Sequence, residues 1–456
     1  MIIKRMDLSK INSLYFLGIG GIGMSALARY FSRQGKNITG YDLTPTPLTA
    51  QLEKEGMQIH YVENISEIPA DIDLAVYTPA IPGDSKELNY LKQSGVPLMK
   101  RARVLGQLTE NQFTIAIAGT HGKTSISAMT AHIFNTAGKK ITALAGGLMN
   151  NYKSNVIINI PADLLIVEAD EFDRSFLEIQ PDITVISSLD ADHLDIYHNK
   201  KKLIQSFLDF AGKLKRDGLL IHHVKLRLFD DISFEKISYG LDENALVRAE
   251  NIRIDKGAFV FDLMFDEIFI NDIRMAVPGN HYVENALAAA AVSLKNGITP
   301  IDVKKGLETF EGVERRFDFR IRAGKTIFID DYAHHPEEIR VTIRAVKSVF
   351  PDRKVTGVFQ PHLYSRTRDF AAEFAASLET LDEIILLPVY PAREKPVPGV
   401  DSQIILDEIS NENKKLFSKE ELLTRLKQKK PEVLLTLGAG DIGLMIPSIE
   451  KVLKEK

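Results

Sequence analysis

Short apolar runs, each ending at a glycine-rich or polar turn, recur along the chain. Residues 14–17 lead into Gly18-Ile19-Gly20-Gly21-Ile22-Gly23. Residues 113–118 lead into Gly119-Thr120-His121-Gly122-Lys123-Thr124, and residues 433–437 into Gly438-Ala439-Gly440-Asp441. Fully apolar runs of this length suit strands buried on both faces, as in parallel sheets. Further strands are predicted at 37–41, 73–77, 164–167, 183–187, 326–329, 355–359 and 384–387, with helical stretches between them. This alternation predicts an α/β chain throughout.

The 456 residues suggest about three domains, at roughly 150 residues each. Polar residues 109–112 suit a linker before the second glycine unit, and a charged stretch at 311–316 precedes a new strand series. The predicted domains are therefore 1–110, 111–312 and 313–456. Residues 222–275 read as small strands and turns of low functional content.

Composition narrows the classes. Hydrophobic residues make up 45% and charged residues 26%, as in ordinary globular proteins and unlike disordered or collagen-like chains. A net charge of −4 gives no reason to expect nucleic acid or an anionic membrane as partner. The chain has no cysteine, which excludes disulfides, thiolate metal sites and cysteine catalysis. No apolar run approaches the ~18 residues of a membrane span. The N-terminus MIIKRMDLSK lacks the apolar core of a signal peptide. A cytoplasmic enzyme is the expectation.

The second glycine unit carries the sharpest chemistry. Glycines let the backbone wrap around a phosphate, and the predicted helix over 126–136 offers N–H groups at its start. Lys123 can reach the β- and γ-phosphates, and the Thr124 hydroxyl can coordinate Mg²⁺. The strict Walker pattern wants glycine where this chain has Ile117, so the loop is a variant. The first glycine unit satisfies GxGxxG with Gly18, Gly20 and Gly23, and Asp42 follows the next predicted strand. Such a loop brings N–H groups to a diphosphate, which fits NAD or a UDP-sugar.

Acidic clusters end two other strands. Glu168-Ala169-Asp170-Glu171-Phe172-Asp173 and Asp190-Ala191-Asp192-His193-Leu194-Asp195 lie where ligands bind in parallel sheets. A metal role near phosphates is open to the first, as Mg²⁺ takes oxygen ligands. A solvated helix start is its bland alternative. His193 fits a metal ligand, a phosphate contact or a cap. Asn285, placed at the start of an alanine-rich helix, fits a cap or an adenine contact. In the last third, Asp330-Asp331-Tyr332-Ala333-His334-His335 and the arginines of Ser365-Arg366-Thr367-Arg368 suit ribose, phosphate or carboxylate recognition, since guanidinium pairs bidentately with such anions. Ordinary surface ion pairs are the alternative.

The order of these segments is more informative than any one. GIGGIGMSALA, AGTHGKT, EADEFDRSFL, DADHLDIY, VPGNHYVENALAAA, GVERRFD, DDYAHHPEEI, FQPHLYSRTRDF and LGAGDI resemble the Mur ligase family over nearly the whole chain. EADEFDRSFL, DDYAHHP and SRTRDF are similar to the branch acting on UDP-N-acetylmuramate.

The resemblance implies three α/β domains: a Rossmann-like N-terminal domain for the UDP-sugar, a P-loop-type central ATPase domain and a Rossmann-like C-terminal domain for the amino acid. It assigns Gly18, Gly20, Gly21, Gly23, Met24, Ser25 and Asp42 to the UDP-sugar rather than to NAD. It assigns Gly119, Thr120, His121, Gly122, Lys123, Thr124, Ser125, Asn285, Arg315 and Asp331 to ATP. Thr124, Glu168 and His193 would serve Mg²⁺. Lys123, His193, His335 and Arg366 would be catalytic.

The implied reaction is ATP-dependent joining of L-alanine to the lactyl carboxylate of UDP-N-acetylmuramate, through an acyl phosphate, in peptidoglycan precursor synthesis. A recycling ligase that adds an intact tripeptide is the alternative. A monomer or homodimer is implied, without membrane insertion. Alanine-adding relatives often carry arginine where this chain has Leu363, so the carboxylate clamp would lean on Arg366 or Arg368. No lysine is assigned to a carbamoylated metal bridge. A dehydrogenase would leave the Lys123 loop unexplained, and a non-catalytic sensor would have no need of Lys123 and Glu168.

Overall fold

The computed structural model describes residues 6–190, 197, 199–392 and 394–455. Among these, the strands form three sheets, in chain order. The first contains β1 (Ser13–Leu17), β2 (Asn37–Tyr41), β3 (Gln58–His60), β4 (Leu74–Tyr77) and β5 (Leu98–Lys100), ordered β3-β2-β1-β4-β5. Every pairing in it is parallel, and all five residues of β1 are buried. Strand order reverses at β1, which opens a crevice at its carboxyl end. The loop from Gly18 to Gly21 and the helix Ile22–Arg33 begin there.

The second sheet contains β6 (Thr114–Ala118), β7 (Ile141–Met149), β8 (Ser154–Ile158), β9 (Leu164–Glu168), β10 (Ile183–Ile186), β11 (Leu219–His223), β12 (Glu235–Gly240), β13 (Val247–Asp255), β14 (Ala258–Phe265) and β15 (Ile268–Met275). Its order is β15-β14-β13-β12-β11-β10-β6-β9-β7-β8. Strand β6 lies between β9 and β10, parallel to both. The crevice at its carboxyl end is where the Gly119 loop starts.

The third sheet contains β16 (Asp318–Ile321), β17 (Ile327–Asp331), β18 (Val355–Phe359), β19 (Glu383–Leu386), β20 (Lys414–Leu416) and β21 (Val433–Leu437), ordered β16-β17-β21-β18-β19-β20. Only β16 is antiparallel to its neighbour.

The chain divides into two compact units. One comprises Met1–Glu250, Asp262–Ile273 and Glu284–Thr309; the other comprises Asn251–Phe261, Arg274–Val283 and Phe310–Lys456. The first unit holds the whole first sheet and most of the second, and one hydrophobic core runs through both. That core includes Phe16, Leu27 and Phe31 together with Phe176, Phe207 and Phe210. Phe176 stacks on Phe210 at 4.8 Å and meets Phe207 edge-on at 5.1 Å. Each such fully buried ring contributes roughly 1.5–3 kcal/mol of transfer free energy.

A buried polar bridge crosses the same region. Arg29, 3% exposed, donates to both oxygens of Glu55 and to Asn155 Oδ1. Asn155 Nδ2 donates to the Ile22 carbonyl at 2.7 Å and to Ser25 Oγ at 3.0 Å. The β7–β8 hairpin therefore holds the helix that follows the first glycine loop.

Two local expectations change. The helix Arg101–Glu110 takes in the first two of the positions 109–112 read as linker. The alanine-rich helix begins at Asn280, so Asn285 lies inside it and is not its cap. No helix among the described residues is long and apolar enough to cross a membrane.

Candidate active site

The loop after β6 is shaped by two glycines with positive φ, Gly119 at +130° and Gly122 at +84°. A β-carbon on Gly119 would sit 2.1 Å from Ser187 Oγ, and one on Gly122 would sit 2.7 Å from Asn285 Oδ1. Gly122 caps the helix Lys123–Thr136 in the left-handed conformation. A helix start leaves its first N–H groups without intrahelical partners, which favours an anion there.

Residues just after β10 brace the loop. His121 donates its N–H to Ser188 Oγ at 2.8 Å, and the hydroxyls of Thr120 and Ser188 pair at 3.0 Å. The Asp190 N–H donates to Thr120 Oγ1 at 3.0 Å, and the Ser187 hydroxyl donates to the His121 carbonyl. Ser125 is buried in the first turn of the helix. Ser187 and Ser188 carried no motif, and their bracing role depends on β6 and β10 being neighbours.

The acidic segment after β9 separates into four different roles. Glu168 accepts the Thr124 hydroxyl on Oε1 at 3.1 Å and the Gly146 N–H on Oε2 at 2.9 Å. A β-carbon on Gly146 would fall 2.3 Å from that carboxylate, so only glycine admits it. Glu171 is fully buried and accepts Lys123 Nζ at 2.9 Å. Asp170 faces Arg101 at 3.8 Å, and Asp173 pairs with Lys100 at 2.8 Å. Lys123 also donates to the Gly119 carbonyl at 2.6 Å. Burial alone would lower the Lys123 pKa, but the carboxylates of Glu171, Asp170 and Glu168 outweigh it and hold the pKa above its ordinary value.

Thr124 and Glu168 are hard oxygen donors side by side, next to a helix start suited to phosphates. Among the described residues no three acidic or histidine side chains form a ready-made metal cage. That combination fits Mg²⁺, which is held by one or two carboxylates together with phosphate oxygens. His193 lies outside the described residues.

The first glycine loop is tied to the neighbouring strand. The N–H groups of Gly18 and Ile19 donate to the Tyr41 carbonyl, and Gly20 donates to Asp42 Oδ2 at 2.8 Å. Asp42 thus folds back onto the loop. Gly21 caps the helix Ile22–Arg33. Met24 and Ser25 are buried at 2% and 0% exposure, with Ser25 engaged by Asn155. Gly23 packs against the Arg101 side chain, a residue the motifs did not single out.

In the second unit, Arg315 adopts φ +61°. Its Nε donates to Asp330 at 2.9 Å and its Nη2 to the Gly438 carbonyl at 2.6 Å. Asp330 is fully buried and also accepts Thr436 Oγ1 at 2.6 Å. Asp331 accepts the N–H groups of Phe317 and Ala333, both at 2.7 Å. Burial pushes its pKa up to about 6, partly offset by Arg316.

His335 caps the helix Pro336–Val349, and its ring meets Phe370 edge-on at 5.3 Å. Phe370 directly follows the short helix Tyr364–Asp369 that carries Arg366, so His335 and that helix are neighbours. Leu363 opens the helix with φ +70°. Arg368 is exposed and paired with Asp369 at 2.7 Å, whereas Arg366 is half-buried.

Three family models match successive segments of the chain. Residues 13–113 match the "Mur ligase family, catalytic domain", residues 117–293 the "Mur ligase middle domain" and residues 315–440 the "Mur ligase, glutamate ligase domain". The chain is 47% identical to UDP-N-acetylmuramate–L-alanine ligase of Parabacteroides distasonis, over 98% of both chains. It is 45% identical to the protein of the same name from Flavobacterium johnsoniae, over 99% of this chain and 100% of that one. The crystal structure of UDP-N-acetylmuramate–alanine ligase from Thermotoga maritima superposes with a TM-score of 0.82 at 27% identity, covering 97% of this chain and 98% of that one. A murein peptide ligase from Psychrobacter arcticus gives a TM-score of 0.71 at 20% identity, over 98% and 99% of the two chains, a likeness of fold.

Proposed function

The chain belongs to the Mur ligase family, and on that premise we propose that it joins L-alanine to the lactyl carboxylate of UDP-N-acetylmuramate with cleavage of ATP to ADP and phosphate. The observation that carries the chemistry is the pair of contacts Lys123–Glu171 and Thr124–Glu168 at the adjacent ends of β6 and β9. Full-length kinship with alanine ligases selects the amino acid over a tripeptide. The reaction would supply a peptidoglycan precursor in the cytoplasm.

The lactyl carboxylate attacks the γ-phosphorus and the bond to ADP breaks, giving an acyl phosphate. The amine of L-alanine then attacks the acyl carbon, and phosphate leaves as the amide forms. A carboxylate approaching a phosphate meets charge repulsion. Lys123, held charged by Glu171, is placed to offset it. The N–H groups at the start of Lys123–Thr136 would take phosphate oxygens. Thr124 and Glu168 would hold Mg²⁺, which when bound supplies further charge neutralisation at the phosphates.

The remaining roles extend this reading. Asn285 supports the loop through Gly122 and would face the nucleotide. Gly18, Gly20, Gly21 and Gly23 would take the diphosphate of the UDP-sugar, with Asp42 shaping the loop. Arg315 and Asp331 would serve ATP, and His335 and Arg366 the amino acid and the reacting phosphate. His193 would serve a second metal, a role resting on its sequence segment alone. An acyl phosphate hydrolyses readily, so water must be excluded while it exists.

The test is phosphate release from ATP, Mg²⁺ and UDP-N-acetylmuramate, with L-alanine or the L-Ala-γ-D-Glu-diaminopimelate tripeptide supplied separately. Release dependent on L-alanine is expected. Release with the tripeptide alone would overturn the substrate and keep the ATP chemistry.

A further inference from the structure

Gly23 is the third glycine of GxGxxG, yet it lies within the helix Ile22–Arg33 and does not have a positive φ. Its backbone would accept any residue. Arg101 is what excludes a side chain there. A β-carbon on Gly23 would lie 3.0 Å from Arg101 Nη1 and 3.2 Å from its Cδ.

Arg101 is itself under-compensated. Its side chain is only 18% exposed. Among the described residues its guanidinium has one carboxylate within ion-pair range, Asp170 at 3.8 Å, a separation too long for a hydrogen bond. Five N–H donors in a half-enclosed place call for an acceptor. The group stands beside the first turn of a helix whose own N–H groups face the crevice after β1.

We propose that Arg101 is a further binding residue that clamps the diphosphate of the sugar nucleotide, and that Gly23 is glycine to make room for it. This rests on the reading that the first glycine loop takes a UDP-sugar. A guanidinium suits two phosphate oxygens at once, and Asp170 holds it in place between the loop and the acidic segment after β9.

The experiment compares UDP and UMP binding by calorimetry in the unaltered protein and in Arg101→Met, with melting temperature as the folding control. The steady-state constants for UDP-N-acetylmuramate and ATP are measured alongside. In Arg101→Met, UDP affinity should fall roughly 10- to 100-fold, the loss expected for a charge-assisted contact. UMP affinity and KM for ATP should hardly change, and KM for UDP-N-acetylmuramate should rise with kcat retained.

Arg101→Lys should recover part of the loss, and Gly23→Ala should reproduce it by displacing the guanidinium. An unchanged ratio of UDP to UMP affinity in Arg101→Met would overturn the clamp. So would a fall in kcat with KM unmoved, which would assign Arg101 to the reacting carboxylate. If the unaltered protein itself fails to bind UDP, the glycine-loop reading is lost and the clamp with it, an outcome visible before any substitution.

Discussion

Gly122 and Asn285 are packed so that no side chain fits between them: a β-carbon on Gly122 would approach Asn285 Oδ1 to 2.7 Å. The two residues are far apart in sequence, one at the start of the Lys123–Thr136 helix and the other inside Asn280–Lys295. The contact requires glycine at the start of the Lys123–Thr136 helix, and each of its partners is testable.

Gly122→Ala should lower both stability and nucleotide affinity. The left-handed backbone alone costs a non-glycine residue roughly 1–2 kcal/mol, and the Asn285 contact adds to it. Adding Asn285→Ala should relieve the crowding and leave the backbone cost, so the melting temperature should recover only in part. Full recovery in the double variant would show that φ at position 122 is not strained.

Lys123→Ala should reduce turnover by about 10²- to 10³-fold or more, the loss typical of one electrostatic donor at a developing charge. It also removes the lysine paired with the fully buried Glu171, and breaking such a pair costs about 3–5 kcal/mol. Pairing it with Glu171→Gln should restore the melting temperature without restoring activity. Activity that returned together with stability would remove Lys123 from the chemistry.

Acid stability should carry opposite signatures from two buried groups. Burial pushes the His132 pKa down to about 4 from its ordinary 6.5. Its ring nitrogens meet Tyr152 at 2.7 Å and Thr309 at 3.0 Å. Between those pH values the unfolded chain binds the proton that the folded chain refuses. The His132 contribution is thus complete above 6.5 and is lost as pH falls toward 4. His132→Gln should flatten that slope.

Asp331 works the other way. Its folded pKa of about 6 lies above the ordinary 3.8, so its contribution is present below 3.8 and lost as pH rises through 6. Asp331→Asn should remove that loss. Melting curves from pH 4 to 7 for the two single variants decide both points, and curves parallel to the unaltered protein's would sink them.

Much of the fold was legible because its signals are local. The strands at 37–41, 355–359 and 433–437 have the predicted bounds. The glycine loops, too, stand where strands meet helices. Of the two readings of Asn285, the cap fails because an alanine run does not mark its own start, and the helix reaches back to Asn280. Thr109 and Glu110 end a helix but read as the start of a linker, since that last turn is polar.

The sequence by itself determined the α/β alternation, both glycine loops and the Lys123-Thr124 pair, all carried by neighbouring residues. It placed four carboxylates at the end of β9 and just beyond it without saying what each would do. Tertiary structure decided that Glu168 meets Thr124, Glu171 meets Lys123, Asp170 faces Arg101 and Asp173 meets Lys100. The physical reason is register. Strands β6 and β9 pair with Ile117 opposite Glu168, so residues more than forty positions apart arrive together, and one step along the strand would turn each side chain to the other face.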